Sequence, residues 1–177
     1  MHLYRTAAEG GLIMHSRIFQ IEAFPVDADY RITEDNYIGD HWFVYSVADY
    51  VAADEDRTGS LEWLRETLKA GASFIEYFTD EDGEGFILHE GFHAAYFTAE
   101  YRAFSASLNS LLEKASPEAF ADGGLQSAMF SLEEAYDDKY GFYIDCDEIG
   151  LVTLNRFLRQ ARPETRYYIG GTVDYHY

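Results

Sequence analysis

Hydrophobic and polar positions alternate over residues 17–24. Phe19, Ile21 and Ala23 share one face, Gln20 and Glu22 take the other, and Pro25 stops the run. A period of two predicts a β-strand here. Residues 26–40 are acidic and turn-rich. The stretch 41–51 is ambiguous: WFVYSV has strand composition, while Phe43, Val47 and Tyr50 also fit a helical stripe. Composition favours strand. Ser60 stands where it would cap a short helix with Leu61, Leu64 and Leu68 on one face, and Gly71 would end it. Residues 73–79 and 85–92 then read as strands flanking the turn Asp80-Glu81-Asp82-Gly83-Glu84.

The longest helical signal follows. Phe97, Tyr101, Phe104, Leu108 and Leu111 are spaced 4-3-4-3, and Pro117 closes the run. After Gly123-Gly124 the spacing 4-3-4 returns in Leu125, Met129, Leu132 and Tyr136, and the short link predicts two antiparallel neighbours. Residues 142–145 read as a strand. Asp147 is placed to cap a helix running to about Ala161, with Leu151, Leu154 and Leu158 on its apolar face. Residues 167–175 read as a strand, or as a hairpin broken at Gly170-Gly171. The expected class is α+β, a mostly antiparallel sheet packed against a layer of three to four helices.

A length of 177 residues predicts one domain, placed at 14–177. Residues 1–13 are set apart as a disordered, non-native extension. Glu9-Gly10-Gly11 would be encoded, in one codon choice, by a bacterial ribosome-binding sequence just ahead of Met14. That reading implies a bacterial or phage gene. Hydrophobic residues at 47% and aromatics at 17% supply a core and exclude general disorder. The single cysteine, Cys146, excludes an internal disulfide and fits a reducing cytoplasm. No apolar run approaches the roughly 20 residues of a membrane span, so a cytoplasmic location is expected.

Charge changes the picture most. Asp and Glu number 32 against 13 Lys and Arg, a net −19. The chain up to Asn155 carries −21 and the remainder +2. Such a surface excludes unaided binding to nucleic acid or an anionic membrane. Acidic residues recur in clusters, with Asp54, Glu55 and Asp56, then Asp80, Glu81, Asp82 and Glu84, then Glu133, Glu134, Asp137 and Asp138 as the candidate binding residues. Carboxylates on a rigid scaffold imitate a row of phosphates. The partner they fit is the basic surface of a nucleic-acid-binding protein. In size, acidity and aromatic content the chain resembles the antirestriction and anti-CRISPR proteins of mobile elements. That resemblance implies a nucleic-acid mimic that inhibits a defence nuclease. An acidic interaction module, its charge serving solubility, is a plainer alternative.

Residues 80–93 admit metal readings as well. Asp80, Asp82, Glu84, Gly85 and Ile87 fall on calcium-loop positions of the EF-hand pattern, but Gly91 stands where the bidentate acid is required. His89-Glu90-Gly91-Phe92-His93 matches the HExxH pattern of zinc metallopeptidases. In a helix it would place two imidazoles one turn apart around zinc, with Glu90 as general base. The plain alternative is an acidic hairpin, a strand carrying Phe86 and Leu88, and His93 at a helix start. No phosphate loop, nucleophile elbow or paired-cysteine motif occurs. The leading expectation is therefore a non-enzymatic binding protein without a cofactor, with a small zinc hydrolase as the alternative.

Overall fold

The computed structural model describes residues 14–38 and 42–177, so the expected extension at 1–13 lies outside the described residues. In chain order the strands are β1 (His15–Glu22), β2 (Tyr50–Ala53), β3 (Ile75–Asp80), β4 (Gly83–Leu88), β5 (Tyr143–Cys146), β6 (Gly150–Thr153) and β7 (Arg166–His176). The helices are α1 (Trp42–Ser46), α2 (Arg57–Thr67), α3 (Phe92–Lys114), α4 (Pro117–Ala121), α5 (Gln126–Tyr136) and α6 (Leu154–Gln160). The strands form one sheet of order β3-β4-β7-β1-β5-β6, with β2 also against β7. Pairing is antiparallel except between β1 and β5. The α+β class expected from the sequence is the class observed.

β1 carries the alternation that its sequence predicts, yet Gln20 and Glu22 are buried along with Phe19 and Ile21. Both faces of this central strand are covered. On one face α2, α6 and the first turns of α3 close over Phe19, Ile21, Ile144, Leu64, Leu88 and Phe92. On the other, α1 and the chain around Ile32–Tyr37 cover Ile18, Tyr143, Val173 and Tyr175. Gln20 is satisfied there. Its Oε1 accepts from the N–H of Gly171 and of Ile32, both at 3.0 Å, and its Nε2 donates to the Tyr30 carbonyl. Glu22 accepts from the Asp147 N–H, and burial lifts its carboxyl above the ordinary value.

Four local expectations are corrected. The stretch at 41–51 holds helix α1, because Phe43 drops into a nest of rings from Tyr143 and Tyr175, and the strand follows only at Tyr50. The α2 cap is Asp56, which accepts from the Gly59 N–H, while Ser60 lies buried inside the helix and Gly71 sits within a 3₁₀ turn that runs on to Phe74. Asp147 lies in the β5–β6 turn, and Thr153 caps a much shorter helix through the Arg156 N–H. Gly170-Gly171 does not break β7. It forms an irregularity in register opposite Gln20, between the pairs Phe19–Thr172 and Ile21–Ile169.

The periodic helices are observed. α3 extends from Phe92 to Lys114, and α5 packs along it with Phe104 and Tyr136 ring centroids 5.9 Å apart. Only Phe92 and Tyr96 of α3 are buried, so its far half stands off the sheet with α5. There Leu112, Phe120 and Met129 are exposed. Among the described residues no helix is long and apolar enough to cross a membrane.

The second core depends on Phe43. Phe43→Ala empties a fully buried ring site and is expected to lower unfolding free energy by about 3–5 kcal/mol. Urea denaturation checks this, and a loss below about 1 kcal/mol would place α1 outside the core.

Candidate functional site

β7 has an uneven flank, and this gathers the acidic segments. One side pairs with β1 along nearly its whole length. The other is shared by β4, which pairs up to Tyr168, and β2, which pairs from Val173. Between them no strand of the described residues covers 169–172. Side chains and loops fill this stretch, and one of them supplies a backbone partner, as a buried strand requires. Arg57 donates to the Ile169 carbonyl at 3.1 Å and also to Glu84 at 2.9 Å, tying the start of α2 to the start of β4. Asp54 accepts from the Thr172 hydroxyl at 2.7 Å. Val26 and Ile32 lie against Gly170 and Gly171, where no Cβ would fit. The loop 54–56, the turn at 80–84 and the segment 26–37 therefore surround one gap.

The predicted acidic residues divide by what they do. Asp54 is almost wholly buried, 3.6 Å from the Arg17 Nε. Asp56 caps α2, Asp80 pairs with Arg166, Glu84 pairs with Arg57, and Asp138 accepts from the Tyr140 N–H. Asp137 takes the Thr153 hydroxyl and lies 3.8 Å from Arg159. Glu55, Glu81, Asp82, Glu133 and Glu134 carry carboxylates with no hydrogen bond or ion pair among the described residues. Glu55, Glu81 and Asp82 border the gap. Glu133 and Glu134 sit at the end of α5, next to α6, and belong to a separate region. The three predicted clusters do not form a single row.

The helical zinc motif does not form. His89 and Glu90 lie in a turn, Gly91 takes a left-handed φ of 99°, and α3 begins only at Phe92. The two imidazoles are thus not stacked one helical turn apart. His93 donates from Nε2 to the Leu158 carbonyl at 2.7 Å. His89 sits between Glu164, 3.0 Å from its Nδ1, and Glu76, 3.4 Å from its Nε2. Glu164 has a left-handed φ of 59° and also accepts from the Glu90 N–H, so it clamps this turn. The calcium-loop reading fails in the same stretch, because 80–88 is a tight hairpin with Asp80 opposite Gly83.

A polar cluster that sequence reasoning missed lies on the α2 side of the sheet. His15 stands opposite His176, and Arg17 opposite Asp174. Arg17 donates to Asp174 Oδ1 at 2.5 Å and to the Ser60 hydroxyl at 2.8 Å. Asp174 Oδ2 faces His15 Nδ1 at 3.0 Å and His176 Nε2 at 3.7 Å. Tyr50 of β2 stacks on His176 with centroids 3.9 Å apart. The signal was the i, i+2 spacing of His15 with Arg17 and of Asp174 with His176, which puts each pair on one strand face.

The two exposed and buried histidines are biased in opposite directions. The hydrogen bond that His89 donates to Glu164 raises His89, whereas burial, followed by the neighbouring His15, lowers His176. Protonated His89 therefore contributes stability that is full below the ordinary imidazole value and is lost as pH rises through its folded value. Neutral His176 contributes stability above the ordinary value, lost as pH falls through its lower one. In an NMR titration of the folded protein, His89 is expected to titrate above about pH 6.5 and His176 below it. The reverse order would contradict both environments.

Comparison of the chain with protein-family models, with curated proteins and with solved structures returned no match.

Proposed function

We propose that this protein is a non-enzymatic acidic binding protein that occupies a basic surface of a nucleic-acid-binding protein. In its most concrete form it is a nucleic-acid mimic of a phage or mobile element, acting on a defence nuclease in the antirestriction or anti-CRISPR manner. The observation that carries this reading is the convergence of three acidic segments around the uncovered stretch of β7. Glu55, Glu81 and Asp82 present free carboxylates on short, well-anchored turns there, and Asp27, Asp29 and Asp35 are exposed on the adjoining segment. Tyr30, 76% exposed, offers a flat ring beside them. Carboxylates held by a folded frame meet a basic groove without the ordering cost of a flexible acidic tail. Attraction of this kind is long-ranged and weakens as salt screens it.

A second reading, an interaction module whose acidity serves solubility, is favoured by the exposed Leu112, Phe120 and Met129 on α3–α5. Nothing in the observed geometry favours hydrolysis at His89, Glu90 and His93.

The two readings separate in one experiment. Binding to a Cas9-type or restriction nuclease is measured at rising salt, with DNA as competitor. The mimic reading expects affinity to fall by about tenfold or more between 50 and 200 mM salt. It also expects displacement by DNA and comparable weakening in a Glu55→Gln, Glu81→Gln, Asp82→Asn variant. Binding that ignores salt and these substitutions, yet is lost in Leu112→Ser with Phe120→Ser, would overturn it in favour of the module.

A further inference from the structure

We propose that His15, Asp174 and His176 form a binding site for one divalent transition-metal ion of the zinc class, on the sheet face where β1, β7 and β2 meet. One nitrogen from each imidazole and one Asp174 oxygen lie within 4.8 Å of one another. Among the described residues, no other three His, Cys, Asp or Glu side chains converge in this way. The individual separations also suit an ion. Ligands held about 2.0–2.1 Å from a tetrahedral zinc stand about 3.3 Å from each other. Asp174 Oδ2 is 3.0 Å from one imidazole nitrogen and 3.7 Å from the other. The His15 and His176 rings lie with centroids 3.7 Å apart, closer than the roughly 5 Å of two imidazoles on one tetrahedral ion, so seating all three donors requires the part-exposed His15 ring to swing outward.

The surroundings are built as an outer shell is built. Arg17 holds Asp174 Oδ1 and so aims Oδ2 at the histidines. Arg17 is itself fixed by the Ser60 hydroxyl and lies beside Asp54, which Thr172 orients. The guanidinium charge opposes a second cation, and the Asp174 and Asp54 carboxylates offset it. His176 supplies an independent pointer. Its side chain is only 9% exposed, its Nδ1 has no hydrogen-bond partner, and its Nε2 is too far from Asp174 for a hydrogen bond. An unpartnered buried nitrogen is costly, and Nε2, the nitrogen that faces Asp174, is the one an ion would take.

The donor set selects the class of ion. Two imidazoles with one carboxylate suit zinc, cobalt, nickel or ferrous iron, whereas calcium and magnesium require oxygen ligands. Three protein donors leave a coordination position for water. His15, 33% exposed, marks the side from which an ion enters. The site lies apart from the HExxH sequence, and it goes beyond the binding function proposed above.

The test uses full-length protein stripped of metal by a chelator. It is titrated with Co²⁺, followed by visible absorption, and with Zn²⁺, followed by calorimetry. One ion per chain is expected. Asp174→Asn and His15→Ala should each weaken binding by about tenfold or more, with His89→Ala and His93→Ala unchanged. His15→Ala trims a part-exposed ring, and circular dichroism in metal-free buffer verifies its fold if Asp174→Asn proves unstable. The proposal is overturned if no ion saturates the protein, if His15→Ala binds as tightly as the parent, or if binding follows His89 and His93 instead.

Discussion

The structure depends on how the hydrogen-bonding groups of β7 are satisfied. Residues of a buried strand need partners on both sides, and β7 is paired along most of its length only by β1, with one irregularity opposite Gln20. Its other flank is divided between β4 and β2, which leaves 169–172 to Arg57, Asp54 and the segment carrying Val26 and Ile32. A side chain at Gly171 would meet the Ile32 backbone of that segment, and one at Gly170 would meet first the Gln20 side chain and then Val26. Gln20, reaching from β1, ties Gly171, Ile32 and Tyr30 together. A local gap in strand pairing thus determines where two acidic loops and an acidic turn meet.

Electrostatics follows from the same frame. Several of the scarce cations are used internally. Arg17, Arg57, Arg159 and Arg166 each engage a carboxylate of one of the acidic clusters or of β7. Arg166 also lies over the rings of Phe78 and Tyr168. Each such pair cancels one charge of either sign, so the net −19 rests on the carboxylates that no cation reaches. In the slightly basic stretch beyond Asn155, Arg162 pairs with Glu148, and Arg159 caps the last turn of α5 through the Tyr136 carbonyl.

Much of the architecture was legible where one face of an element is apolar and the other is wet. The 4-3-4-3 stripe of Phe97 to Leu111, the stripe of Leu125 to Tyr136, the turn at Asp80–Glu84 and the alternation of 17–24 all located real elements. Reading failed where tertiary packing overrides local preference. WFVYSV has strand composition, but Phe43 gains more by burying its ring against Tyr143 and Tyr175 in a short helix. Asp147 is an apt cap with no helix behind it, because Leu151 and Val152 are taken by β6. The HExxH pattern, held as the alternative, is not helical because Gly91 turns left-handed just ahead of α3.

By itself the sequence determined the α+β class, the acidity and the main periodic elements, because each depends on composition or on neighbours within a few residues. Only the tertiary structure decided which carboxylates are free, since that depends on which of the few arginines reaches them across the sheet. It alone assembled His15, Arg17, Asp174 and His176, which stand 159 or fewer residues apart along the chain at their hydrogen-bonded contacts and meet through strand register. Register is a long-range property, and no local pattern encodes it.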